Sequence, residues 1–459
     1  MNPSSNASRR EFLKRASALS ITGVAAPWAL NLAALGEAAA ANATGYKALV
    51  CVFLYGGNDY ANTLVPYDAP SHALYSAQRP VIATARAALA GTVLNPVAAL
   101  AGAREYALAP ALAPLLPVFD AQQMAILLNV GTLIEPTSKT AYVNKSVRLP
   151  PKLFSHNDQQ SVWQSSLAEG ATTGWGGRMG DLFAASNGNA TFTCVNVTGN
   201  AVYLAGDSAI QYQVTANGSV PLNGLKNPLF GSRACSDALR ALVTAPRTHL
   251  YEAEHSRIMA RSINADVQLT SALAGISPIA TVFPANNSLA SQLGMVARMI
   301  KARASTGAKR QVFFVALGGF DTHDGLIDAH PALLAQVGPA LAAFHAATVE
   351  MGVANEVTTF TASDFGRTLT SDGDGSDHGW GSMHFVLGGA VKGKTFVGAA
   401  PVIANNGPND VGQGRLLPDI AVDQLAATLG SWFGVSNSEL PTVLPNLENY
   451  SLTNLGFMA

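Results

Sequence analysis

The sequence predicts an α/β fold, a three-layer sandwich with a mostly parallel central sheet between two helical layers. Three observations predict it. Apolar strand runs alternate with long helical stretches along the chain, the pattern of parallel strands joined by crossover helices. The first of these runs is apolar nearly throughout, as strands covered on both faces are. The clearest runs also lead into loops carrying acidic, imidazole or glycine residues, and open α/β sheets hold ligands outside the carboxyl ends of their strands.

Ala48–Leu54 (ALVCVFL) opens the sheet and runs into Tyr55-Gly56-Gly57-Asn58-Asp59-Tyr60. The two glycines permit a tight turn there. Pro66 and Pro70 mark a loop, Leu112–Gln122 reads as a helix, and Met124–Val130 is a second strand. Residues 131–151, rich in Thr, Ser, Lys and Pro, read as loop. Ser155-His156-Asn157-Asp158 precedes a helix over Gln159–Leu167, with Ser155 or Asn157 as its cap. Gly174-Trp175-Gly176-Gly177-Arg178 is a permissive turn before a short helix. Between Ala190 and Pro228 the rough alternation of Thr, Val, Asn and Gly predicts short strands and hairpins, a small antiparallel elaboration. Arg247–Leu273 and Leu289–Ala304 are long helices. Gln311–Gly318 (QVFFVALG) and Glu356–Thr361 (EVTTFT) are strands with a helix over Ala332–Val349 between them. His384–Val391 is a further strand and Asp419–Phe433 a final helix. No internal repeat has a solenoid or propeller period.

The front of the chain has a different anatomy. Ser8-Arg9-Arg10-Glu11-Phe12-Leu13-Lys14 fits a twin-arginine export signal, Ala16–Leu35 is its apolar middle, and Ala39-Ala40-Ala41-Asn42-Ala43 offers small-residue cleavage sites. The blander reading is a basic amphipathic helix or a retained anchor. Residues 1–43 are accordingly read as a signal that meets the twin-arginine translocase, and residues 44–459 as one α/β domain. A periplasmic or extracellular location follows, with no membrane attachment after processing. About 415 residues remain, enough for a large core. Only 12% of residues are charged and the net charge is −1, which leaves no electrostatic footprint for nucleic acid. Cys51 lies in the first strand; Cys194 and Cys235 could pair or stay free.

The chemistry concentrates between Arg310 and His384. Asp321 and His323, two residues apart at a strand end, could share one face; they could equally cap a helix and bond within a loop. Asp364 ends the next strand and precedes Gly366 and Arg367. Arg367 could clamp an anion bidentately or pair with Asp364 or Asp372. Asp377, His378 and His384 follow within eight residues, in a stretch (DGDGSDH) that resembles a calcium loop but lacks its spacing. Asp59 at the end of the first strand is a ligand candidate or a turn former. Ser155 and His156 are catalytic candidates at a helix start, Ser155 as the nucleophile, although Ser155 could instead be a helix cap. Hard oxygens with imidazoles and no thiolate set suit zinc, manganese or iron, with calcium a lesser option.

The combination GGNDYANTLVPY, FSHNDQQSVWQ, TGWGGR, GGFDTHDG, SDFGRT, SDHGWG and HFVLGGAVKG resembles the exported bacterial proteins of domain-of-unknown-function family 1501, over Lys47 to about Asn446. That family is placed in the alkaline-phosphatase and sulfatase superfamily. The resemblance implies an alkaline-phosphatase-like sandwich with a divalent metal. Asp59 would match the first strand-end ligand, Asp321 and His323 the middle pair, and Asp364 the acid of an Asp-His dipeptide. Here Phe365 replaces that dipeptide's histidine, unless His378 substitutes for it. His378 or His384 would supply the last ligand, and Ser155 would be the best placed nucleophile. The expectation is an exported metal-dependent hydrolase of phosphate or sulfate esters, on a small-molecule or polymer substrate. The other expectation is a secreted binding or assembly factor that keeps the fold without catalysis.

Overall fold

The computed structural model describes residues 45–459; the export signal read over residues 1–43 lies outside the described residues. Among the described residues fourteen strands occur in chain order: β1 (Lys47–Leu54), β2 (Leu64–Pro66), β3 (Tyr106–Leu108), β4 (Met124–Gly131), β5 (Cys194–Asn196), β6 (Tyr212–Thr215), β7 (Gly218–Ser219), β8 (Arg310–Leu317), β9 (Val357–Ser363), β10 (Arg367–Asp372), β11 (Gly375–His378), β12 (Ser382–Leu387), β13 (Thr395–Val397) and β14 (Ile420–Ala421).

One sheet runs β13-β4-β12-β9-β1-β8-β5-β6-β7, with β14 also paired to β4. The pairs β9-β1, β1-β8, β8-β5 and β5-β6 are parallel, whereas β12 is antiparallel to both β4 and β9. The parallel centre explains the apolar runs. On β1, Val50, Val52 and Leu54 face one layer, while Leu49, Cys51 and Phe53 face the other, so no residue of the strand can be polar without facing a core. The first layer includes the helices Ser288–Lys301 and Leu326–Glu350; the second includes Trp175–Phe183 and Val422–Phe433.

Register sets up the site. Leu54 lies beside Leu317 on one side and Ser363 on the other. The loops after β1, β8 and β9 therefore leave the sheet side by side, at its carboxyl edge.

Three expectations change. The segment 190–228 is not a separate antiparallel piece: β5 and β6 extend the main sheet in parallel, and only β6-β7 is antiparallel. Alternating Thr, Val, Asn and Gly reads the same in an edge strand as in a hairpin. The helix read over Ala332–Val349 begins earlier, at Leu326 after a left-handed Gly325, and runs through Pro331 and Pro339. By length and composition it could cross a membrane; it is half buried and packs against Ser288–Lys301. Cys194 and Cys235 are not paired; all three thiols are free, with Cys51 and Cys194 buried in the sheet.

Candidate functional site

Asp321, Thr322 and His323 make a tight bend after β8, with the Thr322 N–H donating to Phe320 O and the His323 N–H to Asp321 O. Thr322 is buried, and its carbonyl accepts the Ser376 N–H at 3.1 Å. This ties the bend to the β10-β11 hairpin. Two glycines allow the approach. A Cβ on Gly56, whose φ is +116°, would lie 2.3 Å from the Asp321 nitrogen. A Cβ on Gly375 would lie 1.8 Å from His323 O. The stretch 372–378 is thus a hairpin and not a calcium loop. Asp374 in its turn accepts from the Gly325 N–H at 3.1 Å.

Three imidazoles and a carboxylate converge above this base. His156 Nε2 lies 3.1 Å from His378 Nε2 and 3.3 Å from Asp321 Oδ2. His378 Nε2 is 3.2 Å from Asp321 Oδ1. His323 Nε2 is 2.9 Å from both Asp321 Oδ1 and His378 Nε2. The far nitrogens are also engaged. His156 Nδ1 donates to Asp364 Oδ2 at 2.6 Å, and His378 Nδ1 donates to the Phe154 carbonyl at 2.7 Å. In their neutral forms both rings therefore turn an Nε2 lone pair into the cluster.

Asp364 is buried behind His156 and not in the cluster. It accepts from the Gly56 N–H at 3.2 Å and from Gln160 Nε2 at 2.8 Å besides the imidazole. Phe365, where the sequence resemblance led to the expectation of a histidine, lays its ring 4.8 Å from the rings of both His156 and His378. It walls the site and cannot ligate.

Arg367 is fully buried beneath Asp321. It donates to Asp321 Oδ1 at 2.5 Å, to Gly56 O at 3.2 Å and to Ser376 Oγ at 3.2 Å. It pairs with Asp321, not with Asp364 or Asp372, and it cannot reach out to clamp a substrate. Arg178, the other arginine that could have held an anion, donates instead to the carbonyls of Val443, Thr173 and Ser165. Burial disfavours ionised Asp321, but the Arg367 hydrogen bond and charge outweigh it and hold the carboxyl below its usual range. The hydrogen bond to Asp364 raises His156, against its partial burial. Burial lowers His378.

Asp59 and His384 are not brought to the cluster. Asp59 caps the short helix Tyr60–Thr63, forms a fully buried ion pair with Arg79 and accepts from Ser376 Oγ at 3.1 Å. It reaches the site only through Ser376 and Arg367. His384 sits inside the sheet, its ring 5.1 Å from that of Trp163. Because β12 runs antiparallel to β9, the start of β12 lies at the site edge and His384 is already past it. Ser155 precedes the helix His156–Ser165, and its hydroxyl donates to Asp158 Oδ2 at 3.0 Å. Asp377 stands at the rim, bonded to Arg415 Nη2 at 2.7 Å.

Two residues escaped the sequence reading. Gln160 was visible in principle, since it lies one helical turn after His156 and shares its face. The Phe154 carbonyl had no sequence signal, because a backbone acceptor depends on φ and ψ and not on residue type.

Two ligand groupings are present among the described residues, His156 with Asp321 and His378, and His323 with Asp377 and His378. His378 has one free nitrogen, so the groupings are alternatives. In the first, the two Nε2 atoms are 3.1 Å apart, Asp321 Oδ2 is 3.3 Å from His156 Nε2, and one donor atom from each of the three residues lies within 4.8 Å of the others. A tetrahedral site with bonds of about 2.0–2.1 Å has edges of about 3.3 Å, so these residues fit a divalent ion with an open position. Asp364 behind His156 and the Phe154 carbonyl behind His378 are the outer partners that ligating imidazoles ordinarily have.

The family profile described as "Protein of unknown function (DUF1501)" matches residues 46–440. No curated protein matches the chain in sequence. Solved structures are similar at low identity. Ps i-CgsB in complex with k-i-k-neocarrahexaose is 9% identical, with 88% of this chain and 77% of that chain covered and a TM-score of 0.37. The lipoteichoic acid synthase LtaP from Listeria monocytogenes is 8% identical, with 87% and 74% covered and a TM-score of 0.34. The PsFucS1 sulfatase from Pseudoalteromonas sp. is 10% identical, with 89% and 71% covered and a TM-score of 0.31.

Proposed function

The chain belongs to the DUF1501 family of proteins of unknown function, and from that premise we propose that it is an exported, metal-dependent hydrolase of phosphate or sulfate esters. The observation that carries the reading is the pair of Nε2 atoms of His156 and His378, 3.1 Å apart with both Nδ1 hydrogens donated elsewhere. Two lone pairs at that distance repel unless a cation or a proton lies between them.

His156, His378 and Asp321 would hold the ion. Two imidazoles and one carboxylate suit zinc or manganese; calcium takes oxygen ligands in larger number. When bound, a divalent ion supplies charge stabilisation to the ester oxygens. Asp364 orients the His156 ring. Arg367 fixes Asp321 by its Oδ1 and leaves Oδ2 toward His156. His323 is the most exposed of the three imidazoles. As the most exposed ring, it is the candidate general acid for the leaving oxygen as the ester bond breaks. Water is the better attacking group than Ser155, whose hydroxyl is turned to Asp158.

Phe365 in a ligand position and the engaged Ser155 favour a second reading, a secreted binding or assembly factor that keeps the site without turnover. One experiment separates the two. Folded protein is assayed for metal content and for release of phenol from an aryl phosphate and an aryl sulfate. Metal with turnover that His378→Ala abolishes supports the hydrolase; metal without turnover supports the binding protein; no metal at any loading overturns both metal assignments.

Export is proposed on Arg9-Arg10 and its context. Lysine at both positions should leave precursor in the cytoplasm, and unchanged export of that variant would refute the route.

A further inference from the structure

We infer that Arg415 is a positioning residue that fixes which nitrogen of His378 faces the site. Arg415 touches both halves of the hydrogen bond that sets the ring. Its Nε donates to the His378 carbonyl at 2.7 Å and its Nη2 to Asp377 Oδ2 at 2.7 Å. Its guanidinium also lies over the Phe154 ring, 4.8 Å from the centroid. Phe154 is the residue whose carbonyl accepts from His378 Nδ1.

The backbone of Phe154 gives this contact a role. Its φ is +72°, a left-handed conformation that bulky side chains rarely adopt. Such a conformation persists only where surrounding contacts over-determine it. The ring is held from two sides, by the buried cluster that includes Trp380, Leu417 and Tyr450 and by the guanidinium above it, a planar cation that stacks on aromatic faces. With the guanidinium gone one of these two restraints is lost, and Phe154 can relax toward negative φ. Its carbonyl then swings off His378 Nδ1, and the imidazole loses the partner that keeps hydrogen on Nδ1 and the lone pair on Nε2.

The loop that delivers Arg415 is itself fixed. Asp410, buried, accepts from the N–H groups of Gly412 at 2.6 Å and Gly414 at 2.9 Å. Gly414 O in turn accepts the Leu369 N–H at 3.0 Å, which ties the loop to β10. Arg415 therefore reaches the hairpin from a separate, braced segment, and it links that segment to the Phe154 turn. Lys152, two residues before Phe154, also has positive φ, +40°, so the turn as a whole is held against its backbone preference.

The test reads the ring directly. Long-range proton–nitrogen NMR of metal-free protein reports the His378 tautomer, and competition with a chromophoric chelator reports zinc affinity. Wild type should show hydrogen on Nδ1. Arg415→Gln should show a mixture of tautomers and bind zinc about 10- to 100-fold more weakly, the usual effect of losing an outer partner. Arg415→Lys keeps the charge toward Asp377 but lacks the planar face, and it should resemble Arg415→Gln. Phe154→Leu keeps apolar bulk, removes the stack, and should give the same mixture even if an Arg415 variant folds poorly. An unchanged Nδ1 tautomer in these variants would overturn the inference. The affinity arm rests on the metal reading, whereas the tautomer arm does not; wild type that binds no zinc would sink that reading and leave the tautomer result to decide this one.

Discussion

His156 and His378 face each other Nε2 to Nε2 at 3.1 Å, and each has already donated its Nδ1 hydrogen, to Asp364 and to the Phe154 carbonyl. Replacing either imidazole by alanine removes a ligand. His156→Ala and His378→Ala should each weaken zinc binding more than about 100-fold, beyond what loss of an outer partner costs. Calorimetric titration checks this, and full affinity in either variant would remove that residue from the ligand set.

Asp364 receives three donors on two oxygens. An amide can present only one acceptor oxygen to them. Asp364→Asn should cost about 1–3 kcal/mol through an unsatisfied buried donor and lower zinc affinity about 10- to 100-fold through a loosened His156. Urea unfolding and metal titration on the same preparation test both effects. Unaltered affinity at matched folded fraction would show that Asp364 does not orient the ring.

Asp59 and Arg79 are an ion pair with both side chains fully buried. Burial opposes the charge on Asp59, yet Arg79 holds its carboxyl below the usual range. Asp59→Asn leaves a buried guanidinium without its counter-charge and should cost about 3–5 kcal/mol. Metal content per folded molecule should not change. A stable Asp59→Asn protein that has lost metal would return Asp59 to the ligand set.

Gly375 and Gly373 sit two residues apart in one hairpin and should respond differently to alanine. At Gly373 a Cβ meets nothing within 4 Å, and only the φ of +62° is penalised, about 1–2 kcal/mol. At Gly375 the Cβ would overlap the His323 carbonyl. Gly375→Ala should therefore be the more destabilising and should also lower metal affinity, since it pushes the hairpin bearing His378 off the Asp321 bend. Equal melting temperatures for the two variants would contradict the close approach.

Burial lowers His330 to about 4 and His384 to about 3. In the unfolded chain each takes up a proton near pH 6.5. The unfolded state thus binds more protons below that pH, so stability falls as pH drops from about 6.5 toward about 4. Each histidine contributes a slope of up to about 1.4 kcal/mol per pH unit. Urea unfolding between pH 4.5 and 7 should show this, and His384→Phe should flatten it by about one proton. Identical slopes in the variant and wild type would mean that His384 is not buried neutral.

The sheet and the carboxyl-edge position of Asp321, His323 and Asp364 were legible because buried parallel strands are apolar throughout and their ends are marked by glycine and polar residues. Which residues meet was less legible. Asp321 and Asp364 look equivalent in sequence, yet one faces the cluster and the other stands behind His156. His378 and His384 also look equivalent, and only strand direction separates them: the first precedes an antiparallel strand and the second is inside it. His156 reads in sequence as a catalytic residue beside Ser155 and not as a ligand, because its ring's partner, Asp364, lies 208 residues away. Arg367 read as a substrate clamp, since a buried and an exposed arginine are written with the same letter.

The order of the central strands has a kinetic consequence. The Gly56 N–H that meets Asp364 is separated from it by 308 residues, and β1 lies between two strands that are translated last among the central three. Closing loops of that length comes late in folding, and parallel pairings of this kind form slowly. The first strand to leave the ribosome must wait, apolar and unpaired, until most of the chain has been made. The cluster's last member is His378, so no product shorter than that can assemble it. The interval before β8 and β9 arrive is when the chain is most exposed to aggregation and in greatest need of a chaperone.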